Sequence, residues 1–246
     1  TVYLLANALG ADAFGRVAAV VCAVTIPMGI LQATSIQTDY MVSLWLAIFV
    51  FFMLLSFKDP TLWKSGRMGV ALGLAVLTKA TTYIYALPFA VWFFLKLIRS
   101  NRAYLFKTAA IIVTLVLLLN AGHYVRNLDW FGSPLGGTNQ VDKASNTRFG
   151  LDVTWSNMVR NITLHLGTFD FVNRRIADAV TVLHRWIGID ENDPHSTQVH
   201  TRYYIPYLST HEYYAGNSLH LILMIGVFGL TLVGLAKPTH RHLVIP

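Results

Sequence analysis

Apolar residues run almost unbroken through 17–36, 40–57, 68–98, 108–125 and 218–236, and the charges gather in the stretches between them. Runs approaching about 20 apolar residues are long enough to cross the hydrocarbon of a bilayer as helix. A helix satisfies its own backbone hydrogen bonds, which lipid cannot do for it. The period-two alternation of membrane barrel strands is absent. The pattern predicts an all-α fold, a polytopic transmembrane helical bundle.

The 68–98 block is too long for one tilted helix. A single crossing would also put Lys96, Arg99, Arg102 and Lys107 on the wrong side for short basic loops. The block is therefore expected to go out and come back, with a break at Thr78-Lys79-Ala80-Thr81-Thr82. Its first leg, from Met68, would rise only about 16 Å at the helical pitch. This gives about six spans plus a partial helix at the start. Residues 1–126 form the first membrane domain, 127–217 an extracytoplasmic loop, and 218–246 the last span with a cytoplasmic tail.

The loop opens on turn signals, Phe131-Gly-Ser-Pro and Gly136-Gly137. One helical pattern then begins near Ser156, read as its cap, with Met158, Ile162, His165, Leu166 and Phe169 on one face. A second starts at about Asn173, with Ile176, Val180, Leu183 and Ile187 on one face and Arg175, Asp178 and Arg185 off it. Gly188 and Asp190-Glu-Asn-Asp-Pro-His end it. Such amphipathic helices lie on the membrane surface or roof a cavity.

Composition sharpens the class. Of 246 residues 54% are hydrophobic and 13% charged, against about 25% charged in an ordinary soluble domain. The net charge of +7 is a topology signal. It sits in short linkers and the tail, on Arg16, on Lys58, Lys64 and Arg67, on Lys96 to Lys107, and on Lys237 and Arg241. Short basic loops face the cytoplasm, so no nucleic-acid partner is implied. Thr1–Leu9 reads as a helix already under way, and the chain is expected to be a fragment lacking its N-terminus. The one cysteine, Cys22, lies in an apolar run and is expected to be a buried structural thiol.

Ionisable groups at membrane depth are costly, by about 2.5–3.5 kcal/mol on insertion scales, and point to function. Asp39, Lys79 and Arg126 all fall at the outer boundary, where they could surround one cavity. Lys79 and Arg126 could hold a phosphate by charge-assisted hydrogen bonds, with Asn127 beside them. Asp39 could position a metal, a hydroxyl or a second cation. The plainer readings are snorkelling for the two bases and helix capping for Asp39. A second constellation, His211-Glu212 with Asn217 and His220, precedes the last span and could shuttle protons or bind metal, at a spacing that fits no recognised metal site. No cofactor is specified, and a divalent metal stays open. Asp190-Glu191-Asn192-Asp193 lacks the spacing of a calcium loop, and Asn161-Ile-Thr163 fits a glycosylation sequon.

Several motifs in order resemble one family. Arg16-Val-Ala-Ala-Val-Val, Pro27, Gln32-Ala-Thr-Ser and Thr38-Asp39 resemble the third-helix region of bacterial relatives of protein O-mannosyltransferases and aminoarabinose transferases. These are GT-C class, polyprenyl-phosphate-sugar-dependent glycosyltransferases. Gly73-Leu-Ala-Val-Leu-Thr-Lys79-Ala-Thr is similar to their Gly-Leu-Ala-x-x-Thr-Lys-x-Thr segment. His123-Tyr-Val-Arg-Asn127, Phe131-Gly-Ser-Pro and His211-Glu212-x-x-Ala-Gly-Asn217-x-x-His220 resemble later motifs. The resemblance implies a bacterial inner-membrane enzyme that moves a sugar from a polyprenyl phosphate to a lipid, glycan or protein acceptor. It implies Lys79 and Arg126 on the leaving phosphate, Asp39 as a second acid, and His211 and Glu212 in the cavity roof. The base it implies lies upstream of Thr1, so no residue here takes that role. A transporter or flippase, or a non-catalytic membrane subunit, are the alternatives; a carrier would show paired broken helices in two halves.

Overall fold

The computed structural model describes residues 1–137, 146–197, 202–207 and 215–233. Among them the fold is all-α, with no strand. In chain order the helices are α1 (Val2–Ala8), α2 (Ala13–Val24), α3 (Pro27–Ala33), α4 (Asp39–Lys58), α5 (Leu62–Thr78), α6 (Thr82–Ser100) and α7 (Arg102–Phe131). After them come α8 (Leu151–Leu164), α9 (Asp170–Ile187) and α10 (Ser218–Leu232). The chain divides into two compact units. The helical unit holds 1–25 and 32–136, and the loop unit holds 26–31 and the described residues from Gly137 on.

Among the described residues the count of six spans is not reached. Three helices of the described residues, α4, α6 and α7, are long and apolar enough to cross a membrane. A fourth is available if α2 and α3, bent by 63° at their break, act as one. Helix α5 has 17 residues and carries Lys64 and Arg67 in its first turns, while α10 has 15. Most of the apolar surface of the long helices is uncovered, including Ile84, Leu87 and Val91 on α6 and Val113, Leu117 and Leu118 on α7. Contiguous apolar surface of that extent suits lipid rather than water.

The break at Lys79 falls where the sequence puts it. Lys79 leaves α5 in extended conformation (φ −161°, ψ 130°), and α6 starts at Thr82. The first leg begins at Leu62 rather than Met68, so it is about 25 Å long at the helical rise. Gly69 and Gly73 explain its tight fit. A Cβ on Gly69 would lie 2.7 Å from Leu115 Cδ1 and 3.2 Å from the Ile112 Cα, and one on Gly73 would lie 2.6 Å from Leu119 Cδ1. Small residues four apart let two helix backbones approach, as in membrane helix pairs. Polar ties fix the register. Asn120, fully buried on α7, donates to the Gly73 carbonyl at 3.0 Å, and the Ser65 and Thr108 hydroxyls bond at 2.7 Å. Beside them, Phe49, Met53, Met68, Phe93, Leu97 and Leu105 form the apolar core. Cys22 is exposed rather than buried, because α2 buries none of its side chains.

In the loop unit, α8 starts at Leu151, so Ser156 is not its cap. The Ser156 hydroxyl is wholly buried, 2.9 Å from His184 Nε2, while His184 Nδ1 lies 2.8 Å from the Val180 carbonyl. A neutral ring that donates through Nδ1 and accepts from Ser156 satisfies both contacts. This pair clamps α8 to α9. Helix α9 starts at Asp170, whose carboxylate suits the first turn. Asn173 then reaches back to accept from the Thr168 amide at 2.8 Å, and Gly188, at φ 72°, ends the helix in the left-handed region. Asn161 lies mid-helix and the Thr163 hydroxyl is bonded to Val159 and Tyr203, a poor setting for the sequon.

Helix α8 is inside out for a soluble unit. Its buried positions are Val153, Ser156 and Arg160, whereas Leu151, Trp155, Met158 and Ile162 line an exposed stripe opposite them. A stripe of that kind suits the headgroup boundary, where an apolar helix face sinks about 5–10 Å. A fluorophore at position 158 of the vesicle-reconstituted protein should emit blue-shifted and be quenched by shallow nitroxide lipids. One at Asp190, in the exposed turn, should stay in water. Equal wetting of both would remove the membrane-facing stripe.

Candidate functional site

Within the helical unit, two of the three candidate charges meet. Asp39 opens α4, and Lys79 closes α5, with Lys79 Nζ 2.6 Å from Asp39 Oδ1. Each partner sits where its helix favours it, the anion at a positive N-terminus and the cation at a negative C-terminus. Their side chains are 37% and 35% exposed, so the pair is reachable and worth little to stability by itself. The surrounding backbone holds Lys79 in place. Thr82, fully buried, gives its hydroxyl to the Ala75 carbonyl at 2.8 Å, and its amide to the Lys79 carbonyl at 3.1 Å. Asp39 is thus the partner of Lys79, and its side chain does not cap α4.

Arg126 does not join that pair. It is exposed near the end of α7 and bonds His123 Nδ1 at 3.1 Å, on its own helix. Helix α7 runs from Arg102 to Phe131, well past the predicted 108–125, and its length of about 45 Å exceeds a hydrocarbon core. Asn127 is buried, and its amide nitrogen lies 3.1 Å from the Pro134 carbonyl and 3.0 Å from His123 Nε2. Those contacts tie down the turn that Gly132 begins at φ 68°. At the same end, the Tyr83 and Tyr124 hydroxyls meet at 2.5 Å and join α6 to α7.

The second constellation is only partly visible. His211 and Glu212 lie outside the described residues. Asn217 accepts from the Met28 amide at 3.2 Å and approaches His165 Nδ1 at 3.3 Å, so it is a tie inside the loop unit. His220 is half-buried in the first turn of α10. Among the described residues, no group of three His, Cys, Asp or Glu side chains could hold a metal ion. The acidic run folds into turns, with Asp190 and Asp193 accepting backbone amides and Glu191 accepting from Thr181.

The loop unit contains a cleft of about 710 Å³ that the sequence does not announce. Arg160 on α8 forms part of its wall and is only 6% exposed. Its Nη1 donates to the Glu191 carbonyl and its Nη2 to the Ser196 carbonyl, each at 2.9 Å, and Nη2 also meets Asn157 Oδ1. Nε has no partner. Burial lowers the Arg160 pKa, against the pull of Asp193, Tyr203 and Glu191. An arginine starts so high that it stays charged. Burial pushes the Tyr203 phenol up, against the hydrogen bond from Thr163 and the Arg160 charge, so it remains a neutral hydroxyl. The sequence signal for this cleft was the polar set Asn157, Arg160 and Asn161 at helical spacing on α8, on the side away from the apolar stripe.

Comparison of the chain with protein-family models, with curated proteins and with solved structures finds no match in any of the three.

Proposed function

We propose that the chain belongs to a membrane glycosyltransferase that moves a sugar from a polyprenyl phosphate to an envelope lipid, glycan or protein on the extracytoplasmic side. The supporting observation is the Lys79–Asp39 pair at the end of a broken helix among apolar helices. In this reading the acceptor hydroxyl passes its proton to a general base, its oxygen forms the new bond to the anomeric carbon, and the lipid phosphate leaves with the electron pair of the old C–O bond. The departing phosphate gains charge, and Lys79 is the cation that meets it. Until donor arrives, Asp39 holds the ammonium in place; a phosphate with more charge and more acceptor oxygens then competes for it. No residue of this chain is assigned as base.

The test is transfer by the full-length protein from purified polyprenyl-phosphate sugar. Lys79→Ala removes a charge-assisted contact made most strongly in the transition state, so transfer should fall by about tenfold to a hundredfold. Lys79→Arg should recover part of it. Unchanged transfer by Lys79→Ala would remove the phosphate role. One observation favours a carrier instead. The 63° bend between α2 and α3 is a second broken element beside that at Lys79, and paired breaks are typical of transporters. Movement of lipid-linked sugar across a vesicle without new product would decide for it.

A further inference from the structure

The cleft in the loop unit has an electrostatic character of its own. Its lining includes Arg160, Arg202, His165, Asn157, Asn161 and Tyr203, and among the described residues no carboxylate lines it. The nearby carboxylates act on Arg160 through their charge and also hold other partners. Asp193 accepts from the His195 amide and lies 3.6 Å from Arg148, and Glu191 accepts from Thr181 at 3.0 Å. Arg160 makes no ion pair, donates only to neutral oxygens, and keeps Nε unpartnered. Arg202 is exposed and makes no hydrogen bond or ion pair among the described residues. Asp193 and Glu191 offset part of the Arg160 charge, so the exposed Arg202 guanidinium is the cation that an oxyanion can reach, and guanidinium suits phosphate geometry. Asparagine amides and a neutral phenol offer donors and acceptors in the mixture that sugar hydroxyls need. The volume lies within the range that encloses small ligands.

We propose that this cleft is a binding site for a phosphorylated sugar, with Arg202 on the phosphate and the Asn157, Asn161 and Tyr203 side chains on the hydroxyls. The site is separate from Asp39 and Lys79 and does not rest on the transferase reading. It is tested by binding alone, so its failure leaves that reading untouched, and the reverse holds too.

The experiment is calorimetric titration of the full chain in nanodiscs with glucose 1-phosphate, glucose and inorganic phosphate. Glucose 1-phosphate should bind saturably, and glucose at least about tenfold more weakly, since it lacks the charge-assisted contacts. Arg202→Gln, at an exposed side chain with no partner among the described residues, should leave the fold intact and weaken glucose 1-phosphate about tenfold. It should leave the residual glucose affinity unchanged. Asn157→Ala should weaken both sugars. A second arm separates the source of the headgroup. Polyprenyl-phosphate glucose placed in the nanodisc should displace the soluble probe if the phosphate belongs to a lipid, whereas undisturbed glucose 1-phosphate binding assigns a free sugar phosphate; both support the site. Equal affinity for glucose and glucose 1-phosphate, indifference to Arg202→Gln, or no saturable heat up to about 10 mM would overturn it.

Discussion

Replacing Gly69 with leucine should drive α5 and α7 apart. A Cβ at 69 already meets Leu115 Cβ at 3.1 Å and the Ile112 Cα at 3.2 Å, and the backbone atom cannot swing away as a side-chain tip can. Overpacking of this kind costs about 1–3 kcal/mol, occasionally more. The polar ties would suffer with it, because the Asn120 bond to the Gly73 carbonyl and the Ser65–Thr108 bond depend on the same close approach. An unpaired buried amide or hydroxyl adds roughly 1–3 kcal/mol each. The thermal midpoint of the purified protein in detergent should fall by several degrees or more. Gly66→Leu is the matched control, since a Cβ at Gly66 meets nothing within 4 Å. Equal midpoints for the two variants would mean that the pair does not set the α5–α7 distance.

The second large effect is expected at Arg160. Methionine there keeps the length and loses every donor. The Glu191 and Ser196 carbonyls and the Asn157 amide oxygen would each lose a partner in a place with little water. Buried acceptors left this way cost about 1–3 kcal/mol apiece, so the loss should be on the order of 3–5 kcal/mol. Lysine would not restore the wild type, because one ammonium cannot reproduce a planar fork to three acceptors. Hydrogen exchange should report the damage locally, with amides such as Asp193 and Ser196, which close turns on the Asp190 and Asp193 carbonyls, losing protection first. Unchanged protection there in Arg160→Met would show that the guanidinium does not organise the turn.

The two variants bear on features of different legibility. The break at Lys79 could be read from sequence because Thr-Lys-Ala-Thr-Thr interrupts an apolar run, and the Gly188 stop because glycine after a periodic stretch is a strong terminator. The pairing of Asp39 with Lys79 was only a suggestion of shared depth; the 2.6 Å contact needs the α4–α5 hairpin to fold back on itself. The span count misled because hydropathy measures composition along the chain and not where a helix starts. Leu62 begins α5 among lysine and arginine, and Arg102 begins α7 within a basic linker. The Gly69–Gly73 spacing was visible in the letters, yet small residues announce a close approach only once the partner helix is known. Arg160 was hidden for the opposite reason. On a helix with one apolar stripe, the polar stripe is ordinarily given to solvent, and here it is the one that packs.

That reversal on α8 bears on how the loop unit can be handled. Leu151, Trp155, Met158 and Ile162 are all exposed, so in plain buffer an excised 146–207 would find cover in its own copies and clump. Given a bicelle rim or a detergent belt, the same stripe gains an oily floor. The lipid would then serve as the missing half of that subdomain's interior.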